Sequence, residues 1–266
     1  MVDTKAAATA IAFDKVCKSF DGGRVRAVDD VSLAVAQGEF LAIVGGSGSG
    51  KTTLLRLANR LIEADSGTIL IDGDNIASSD PIALRRRIGY VFQSAGLFPH
   101  MSVAENVGIT PRLTGAAQDK TSARVNELLT LVRLDSTKYR NRFPHELSGG
   151  ERQRVGVARA LAAEPKIVLM DEPFGALDPL TRDSLGEDFR SLHTKFGLTT
   201  IMITHDMTEA MLLADRIAVM RTGTLVATGT AHELAASTEP YVRELMSTPR
   251  RQTARLNALM IDAGAR

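Results

Sequence analysis

Hydrophobic and polar positions follow two periods along this chain. From Ile11 to Phe40, short apolar runs alternate with turn chemistry at Asp21-Gly22-Gly23, Asp29-Asp30 and Gln37-Gly38, the pattern of short antiparallel strands. Phe40–Val44 is an unbroken apolar run, which predicts a strand covered on both faces. Thr53–Leu61 reads as a helix, Gly67–Ile76 as a hairpin turning at Asp72-Gly73-Asp74, and Tyr90-Val91-Phe92 as a second core strand. Between about 96 and 160 the period changes. Val125, Leu128, Leu129 and Val132 recur at helical spacing, and Ser148 with Glu151 has the form of a capping box opening a helix from Arg152 to about Ala163.

Strand character returns at Ile167–Met170 and again at Thr199–Ile203. Between them Leu185, Phe189, Leu192 and Phe196 mark a helix over Leu180–Phe196, with Gly197 as its stop. Asp206 and Glu209 fit another helix start. Arg216–Met220 and Leu225–Ala227, joined through Thr222-Gly223, predict a terminal hairpin. Strands alternating with helices imply an α/β fold whose mainly parallel sheet is covered on both faces, preceded by an antiparallel β segment and interrupted by a helical block. There is no internal repeat and no low-complexity linker.

Composition narrows the functional classes. The 266 residues are 44% hydrophobic and 24% charged, enough for one large core and unlike a disordered chain. Lys plus Arg is 32 against 31 Asp plus Glu, so nothing in the overall charge draws the chain to nucleic acid or to an anionic membrane. The single cysteine, Cys17, allows no intrachain disulfide, which fits a reducing compartment. The apolar run after Met1 is too short for a signal peptide, and no stretch approaches the roughly 18 apolar residues of a membrane span. Any membrane role therefore calls for docking onto a separate partner.

Three segments carry chemistry. Gly45-Gly46-Ser47-Gly48-Ser49-Gly50-Lys51-Thr52 matches G-x-x-x-x-G-K-[ST], a loop whose backbone N–H groups cradle phosphates. The helix that follows, through Thr53, offers its positive N-terminal end. Lys51 should reach the β- and γ-phosphates, and the Thr52 hydroxyl should ligate Mg²⁺. Ile167–Glu172 is an apolar strand ending in two carboxylates. On its own that is an ordinary loop start. Behind a phosphate loop, Asp171 becomes a Mg²⁺-shell residue and Glu172 a general base for water. Leu147-Ser148-Gly149-Gly150-Glu151-Arg152-Gln153-Arg154 would by itself be only a capping box, but consecutive glycines at a helix start make a second anion site.

This combination resembles ABC-transporter ATPase subunits over nearly the whole chain. The resemblance rests on the phosphate loop, Leu147–Glu151 as the signature motif, Asp171-Glu172 as the Walker B end, Ala176-Leu177-Asp178 as the D-loop, Gln93 as the Q-loop residue and His205 as the switch histidine, in that family's order. It implies a P-loop NTPase core over 11–240, an N-terminal antiparallel β subdomain, a helical subdomain inserted at about 96–160, and a short tail at 241–266. It further implies that ATP and Mg²⁺ bind, with Phe20 stacking on adenine and with Thr52, Gln93 and Asp171 around the metal. Two copies would pair head to tail, so that Ser148, Gly149, Gly150 and Glu151 of one complete the γ-phosphate site of the other, with Asp178 at the seam. Glu172, His205, Gln93 and Lys51 would be the catalytic set. Three departures are visible: Glu151 stands where Gln is commoner, Phe20 where Tyr is, and Gly175 where many members have Ser.

With one phosphate loop, one signature and no heptad run, the chain looks like a transport motor rather than a soluble ATPase of the DNA-repair or translation type, which stays the alternative together with a transporter for another small solute. A separate subunit with a helical block after Gln93 looks like an importer motor. Arg56–Glu63, Arg87–Gln93 with Gly96–Met101, and Glu209–Arg216 are similar to the quaternary-amine osmoprotectant importers for glycine betaine, choline and carnitine. That resemblance implies transmembrane permease subunits as partners, an extracytoplasmic substrate-binding protein met indirectly, no nucleic acid, and a peripheral place on the cytoplasmic face of the cell (inner) membrane. Several members of that group carry a paired regulatory module after the ATPase, for which the residues up to Arg266 leave too little sequence. The tail's five arginines, Arg243, Arg250, Arg251, Arg255 and Arg266, fit a solvated terminal helix, or else contact with lipid headgroups or a partner.

Overall fold

The computed structural model describes residues 8–264. The strands are β1 (Thr9–Phe20), β2 (Val25–Ala36), β3 (Phe40–Val44), β4 (Ser66–Ile71), β5 (Asp74–Asn75), β6 (Ile88–Val91), β7 (Ile167–Asp171), β8 (Thr199–Ile203), β9 (Arg216–Arg221) and β10 (Thr224–Gly229). The helices are α1 (Lys51–Ala58), α2 (Pro81–Arg86), α3 (Val103–Val107), α4 (Ile109–Leu113), α5 (Gln118–Leu131), α6 (Ser136–Tyr139), α7 (Gly149–Leu161), α8 (Pro179–Phe196), α9 (Met207–Leu213), α10 (Ala231–Ala235) and α11 (Pro240–Gly264).

Two sheets form. One is antiparallel, in the order β2-β1-β4-β5. The other runs β10-β9-β3-β8-β7-β6, with β9, β3, β8, β7 and β6 parallel and β10 antiparallel at the edge. The unbroken apolar run of β3 has a clear cause. Phe40, Ala42 and Val44 enter a core shared with α5, α7 and α8, whereas Leu41 and Ile43 enter a second core shared with β1, β2 and α1. Successive side chains point to opposite faces of a strand, so a sheet covered on both sides leaves no polar position in its centre.

Three local expectations need correction. Asp29-Asp30 is not a turn between strands; it lies inside β2, where Asp30 has φ 51° and the pairing with β1 slips between Val16↔Val31 and Lys18↔Val28. The irregularity is a bulge, and it uses the Asp N–H that a regular ladder would have taken: Asp30 donates to Cys17 Sγ at 3.3 Å. The first helix spans Lys51–Ala58 rather than Thr53–Leu61, because it starts directly on the phosphate loop and ends before Arg60 turns to φ 46°. The tail is a helix, yet its first turns are not simply solvated, since Val242 and Met246 are buried in the main core. The terminal hairpin forms as expected, and both of its turn residues, Thr222 (φ 46°) and Gly223 (φ 85°), are left-handed as a tight two-residue turn requires.

Helices α3 to α7 lie between β6 and β7. The predicted helical positions Val125, Leu128, Leu129 and Val132 are all buried there. No helix among the described residues is long and apolar enough to cross a membrane.

Candidate functional site

The site lies at the carboxyl ends of β3, β7 and β8, where an open parallel sheet gathers the loops that leave its strands. Gly45–Gly50 joins β3 to α1. Gly46, Ser47 and Gly48 are exposed, and Ser49 and Lys51 are buried. The backbone is pressed close to its supports: a Cβ at Gly45 would lie 2.1 Å from the Met220 carbonyl oxygen, and one at Gly50 would lie 2.0 Å from that of Ala27. The hairpin turn supports the loop further, Gly223 N–H donating to the Ser49 carbonyl at 3.1 Å.

Lys51 folds along the inside of the loop. Its ammonium donates to the carbonyls of Gly45 (2.8 Å) and Gly46 (2.9 Å) and to Ser49 Oγ (3.3 Å). Burial pushes its pKa down, while the carboxylates of Glu172 and Asp171 oppose that shift. Thr52 Oγ1 donates to Asp171 Oδ1 at 3.1 Å, bringing a hydroxyl and a carboxylate from two elements to one point. Burial raises the Asp171 pKa, with the Thr52 hydrogen bond acting against it. Hard oxygen donors paired beside a phosphate loop are the donor set a Mg²⁺ ion takes. Thr53, half-buried, follows in the first turn of α1.

Glu172 is the centre of a second constellation. Its Oε2 accepts from Gln93 Nε2 at 3.0 Å and lies 3.3 Å from His205 Nδ1. The residue holds φ 45°, its N–H donating to the Ile203 carbonyl at 3.0 Å. A non-glycine residue in that left-handed region costs of order 1–3 kcal/mol and persists only where neighbours over-determine it. The end of β8 supplies that constraint here. Gln93 therefore sits against Glu172, not on the Thr52–Asp171 pair.

The remaining predicted residues divide by place. Phe20 is 42% exposed at the end of β1, with the Lys18 ammonium 5.7 Å from its ring centroid, so it is an open aromatic face and not a core residue. Ser148, Gly149 and Gly150 begin α7, and among the described residues no hydrogen bond or ion pair joins them to the phosphate loop. The capping box is complete: Ser148 N–H donates to Glu151 Oε2 at 2.7 Å and Glu151 N–H to Ser148 Oγ at 3.2 Å. Tyr139 also donates to Glu151 Oε1 at 2.6 Å and, with the cap, holds that carboxylate below its usual pKa. Both Glu151 oxygens are thus engaged within the chain. A Cβ at Gly150 would lie 2.5 Å from Thr181 Cγ2, so the signature glycine packs against the start of α8. Asp178 caps α8, accepting from Thr181 N–H at 3.0 Å.

Sequence reasoning missed the grip of α7 on the Gln93 loop. Gln153 Nε2 donates to the Phe92 carbonyl at 3.0 Å, and buried Arg159 donates to those of Ala95 (2.6 Å) and Gly96 (2.7 Å). One signal was present: Arg159 is a charge among Val155, Val157, Ala158 and Leu161, a helix face that otherwise reads as core. A buried guanidinium needs acceptors, and loop carbonyls provide them.

Comparison with known proteins agrees with this arrangement. The family described as ABC transporter matches residues 28–175, which hold both the phosphate loop and the Asp171-Glu172 pair. The chain is 49% identical over 238 residues to the glycine betaine/carnitine/choline transport ATP-binding protein OpuCA of Bacillus subtilis, covering 89% of this chain and 62% of that protein. It is 48% identical over 219 residues to the glycine betaine uptake system ATP-binding protein YehX of Escherichia coli, covering 82% of this chain and 70% of that one. The chain thus spans less than two thirds of the length of the Bacillus relative. Among solved structures, the ATP-binding cassette MJ0796, dimeric in a post-hydrolysis state with ADP and Pi, superposes with a TM-score of 0.76 at 32% identity, covering 83% of this chain and 98% of that one. Fold, site geometry and sequence converge, and the chain belongs to the ABC transporter family.

Proposed function

We propose that this chain binds and hydrolyses ATP as the motor subunit of an ABC importer for a quaternary amine such as glycine betaine, choline or carnitine. The observation that carries the hydrolytic role is Glu172, whose carboxylate stands between Gln93 and His205 beside the Thr52–Asp171 pair. A carboxylate held there by an amide and an imidazole is placed to orient a water and take its proton. Phosphoryl transfer asks mainly for positioning and charge neutralisation. Gly45–Thr52 and Thr53 cradle the phosphates, Lys51 supplies a desolvated positive charge, and the exposed Phe20 ring receives adenine. Thr52 and Asp171 would hold Mg²⁺, whose charge would support the phosphate oxygens, while Gln93 stands against Glu172. His205 steadies the γ-phosphate and the water.

Among the described residues the signature glycines make no hydrogen bond to the phosphate loop of their own chain, and in this reading they serve a second copy. In this homodimer, head to tail, Ser148, Gly149 and Gly150 of one subunit close the other's γ-phosphate site. Glu151 holds that helix end in shape, and Asp178 lies at the seam. The helices between β6 and β7 act as a subdomain, inserted at about 96–160 into the ATPase domain of 11–240. Near Gln93–His100, where Phe92 and Phe98 are exposed, they meet permease subunits on the cytoplasmic face of the membrane, with a substrate-binding protein on the far side. The names of the relatives, OpuCA and YehX among them, support the solute class.

The test of the hydrolytic role is Glu172→Gln. ATP binding should persist while turnover falls by about 10²–10⁴-fold, the range for loss of a general base. Wild-type turnover would remove Glu172 from the mechanism. For the transport role, co-expression with a neighbouring permease and solute uptake into vesicles should depend on ATP; failure of the pair to associate would count against it.

A further inference from the structure

Tyr241, at the start of α11, touches the phosphate loop from outside. Its hydroxyl accepts a hydrogen bond from Gly46 N–H at 2.9 Å, across 195 residues of sequence. The contact is built rather than casual. The Arg221 guanidinium covers the Tyr241 ring at 5.0 Å, the ring is packed against the main core, and Val242, next in sequence, is fully buried. Arg221 itself leads into the Thr222-Gly223 turn whose Gly223 N–H holds the Ser49 carbonyl.

The partner atoms on the loop give this bond its meaning. Gly46 N–H and the Gly45 carbonyl belong to one peptide unit, which is planar and trans, so the two groups point in opposite directions. Tyr241 holds the N–H side, and the Lys51 ammonium holds the carbonyl side at 2.8 Å. The peptide is flanked by two glycines, the residues for which rotation of a peptide unit is least hindered. The hydroxyl on one side therefore fixes the direction in which the Gly45 carbonyl presents itself to Lys51 on the other.

We infer that Tyr241 is a positioning residue for Lys51: through the Gly45–Gly46 peptide, the tail helix sets where the phosphate-binding ammonium sits. This rests on the proposed role of Lys51 in binding ATP. Stability and positioning separate cleanly here, because Gly46 is exposed and its N–H can turn to water when the hydroxyl is gone.

The experiment uses the full chain and measures the Kd of a fluorescent ATP analogue with Mg²⁺, together with the thermal midpoint of the nucleotide-free protein. Four proteins are compared: wild type, Tyr241→Phe, Lys51→Met and the double variant. Tyr241→Phe should weaken binding by roughly two- to tenfold, the effect of one lost hydrogen bond, with the midpoint little changed. In the Lys51→Met background, Tyr241→Phe should add nothing, since residues that act through one another are not additive. Unchanged affinity in Tyr241→Phe, or an equal loss in both backgrounds, would overturn the inference. A loss of affinity matched by a large fall in midpoint would do so too, as it would make Tyr241 merely structural. If Lys51→Met itself bound like wild type, the assignment of Lys51 would fail instead, which keeps the two failures distinct.

Discussion

Gly50→Ala is the sharpest probe of how the phosphate loop is held. Gly50 precedes α1 with φ +96°, and a Cβ there would meet the Ala27 carbonyl oxygen at 2.0 Å and its carbon at 3.2 Å, where ordinary contact begins near 3.4 Å. The obstacle is strand backbone, which cannot rotate away as a flexible side chain would. Two costs combine: about 1–2 kcal/mol for an L side chain in the left-handed region, and about 1–3 kcal/mol for overpacking. A total of about 2–5 kcal/mol corresponds to a fall in melting temperature of roughly 4–20 °C for a chain of this size. Gly48→Ala is the matched control: φ is +73°, but nothing lies within 4 Å of its Cβ. It should lose only the conformational part, about 1–2 kcal/mol or roughly 2–8 °C. Calorimetry of the nucleotide-free proteins isolates the loop from its ligand. Equal losses in the two variants would refute the claim that close support by β2 shapes this loop.

Other outcomes follow from charges within the fold. Asp188, buried on α8, pairs with Arg154 of α7 at 2.6 Å and with Arg133 at 2.5 Å. Asp188→Ala leaves the largely buried Arg154 unpaired and should destabilise by about 3 kcal/mol in urea unfolding; a loss under 1 kcal/mol would show that water rescues it. Asp215 accepts from Arg190 Nη2 at 2.5 Å and from Phe40 N–H at 2.8 Å. Burial opposes its charge, but these partners outweigh burial and depress its folded pKa. Its stabilisation is therefore complete above the ordinary aspartate pKa of about 3.9 and fades as pH falls through the folded value. The gap in urea midpoint between wild type and Asp215→Asn should be constant near neutral pH and close on acidification. A gap that widened instead would reverse the sign. Arg159→Met should slacken the Gln93 loop by freeing the Ala95 and Gly96 carbonyls, lowering turnover more than ATP affinity; steady-state kinetics with a binding isotherm separates the two.

Much of the fold was legible because period and chemistry agreed. The apolar runs Phe40–Val44, Ile167–Met170 and Thr199–Ile203 have no competing interpretation once helices cover both faces of a sheet. The phosphate loop and the Ser148–Glu151 cap were legible because their partners lie within a few residues. Legibility ended where partners are distant. Asp29-Asp30 has the chemistry of a turn, and only its pairing with β1 shows that a bulge uses it. Gln153 and Arg159 are explained by loop carbonyls some sixty positions away. Tyr241 lay in a tail whose arginines drew attention to solvent, while the informative group was a hydroxyl meeting a glycine N–H near the other end of the chain. Phe20 was an ambiguous aromatic until its exposure removed it from the core.

The central claim is that Ser148 of one copy closes the ATP site of another. Size-exclusion chromatography with light scattering tests it on Glu172→Gln and on Glu172→Gln/Ser148→Arg, each with ATP and Mg²⁺. The account predicts that the single variant runs as an ATP-dependent dimer, and that the double variant binds ATP with similar affinity yet stays monomeric. A double variant that still dimerised with ATP, or one that lost ATP binding as a monomer, would contradict it.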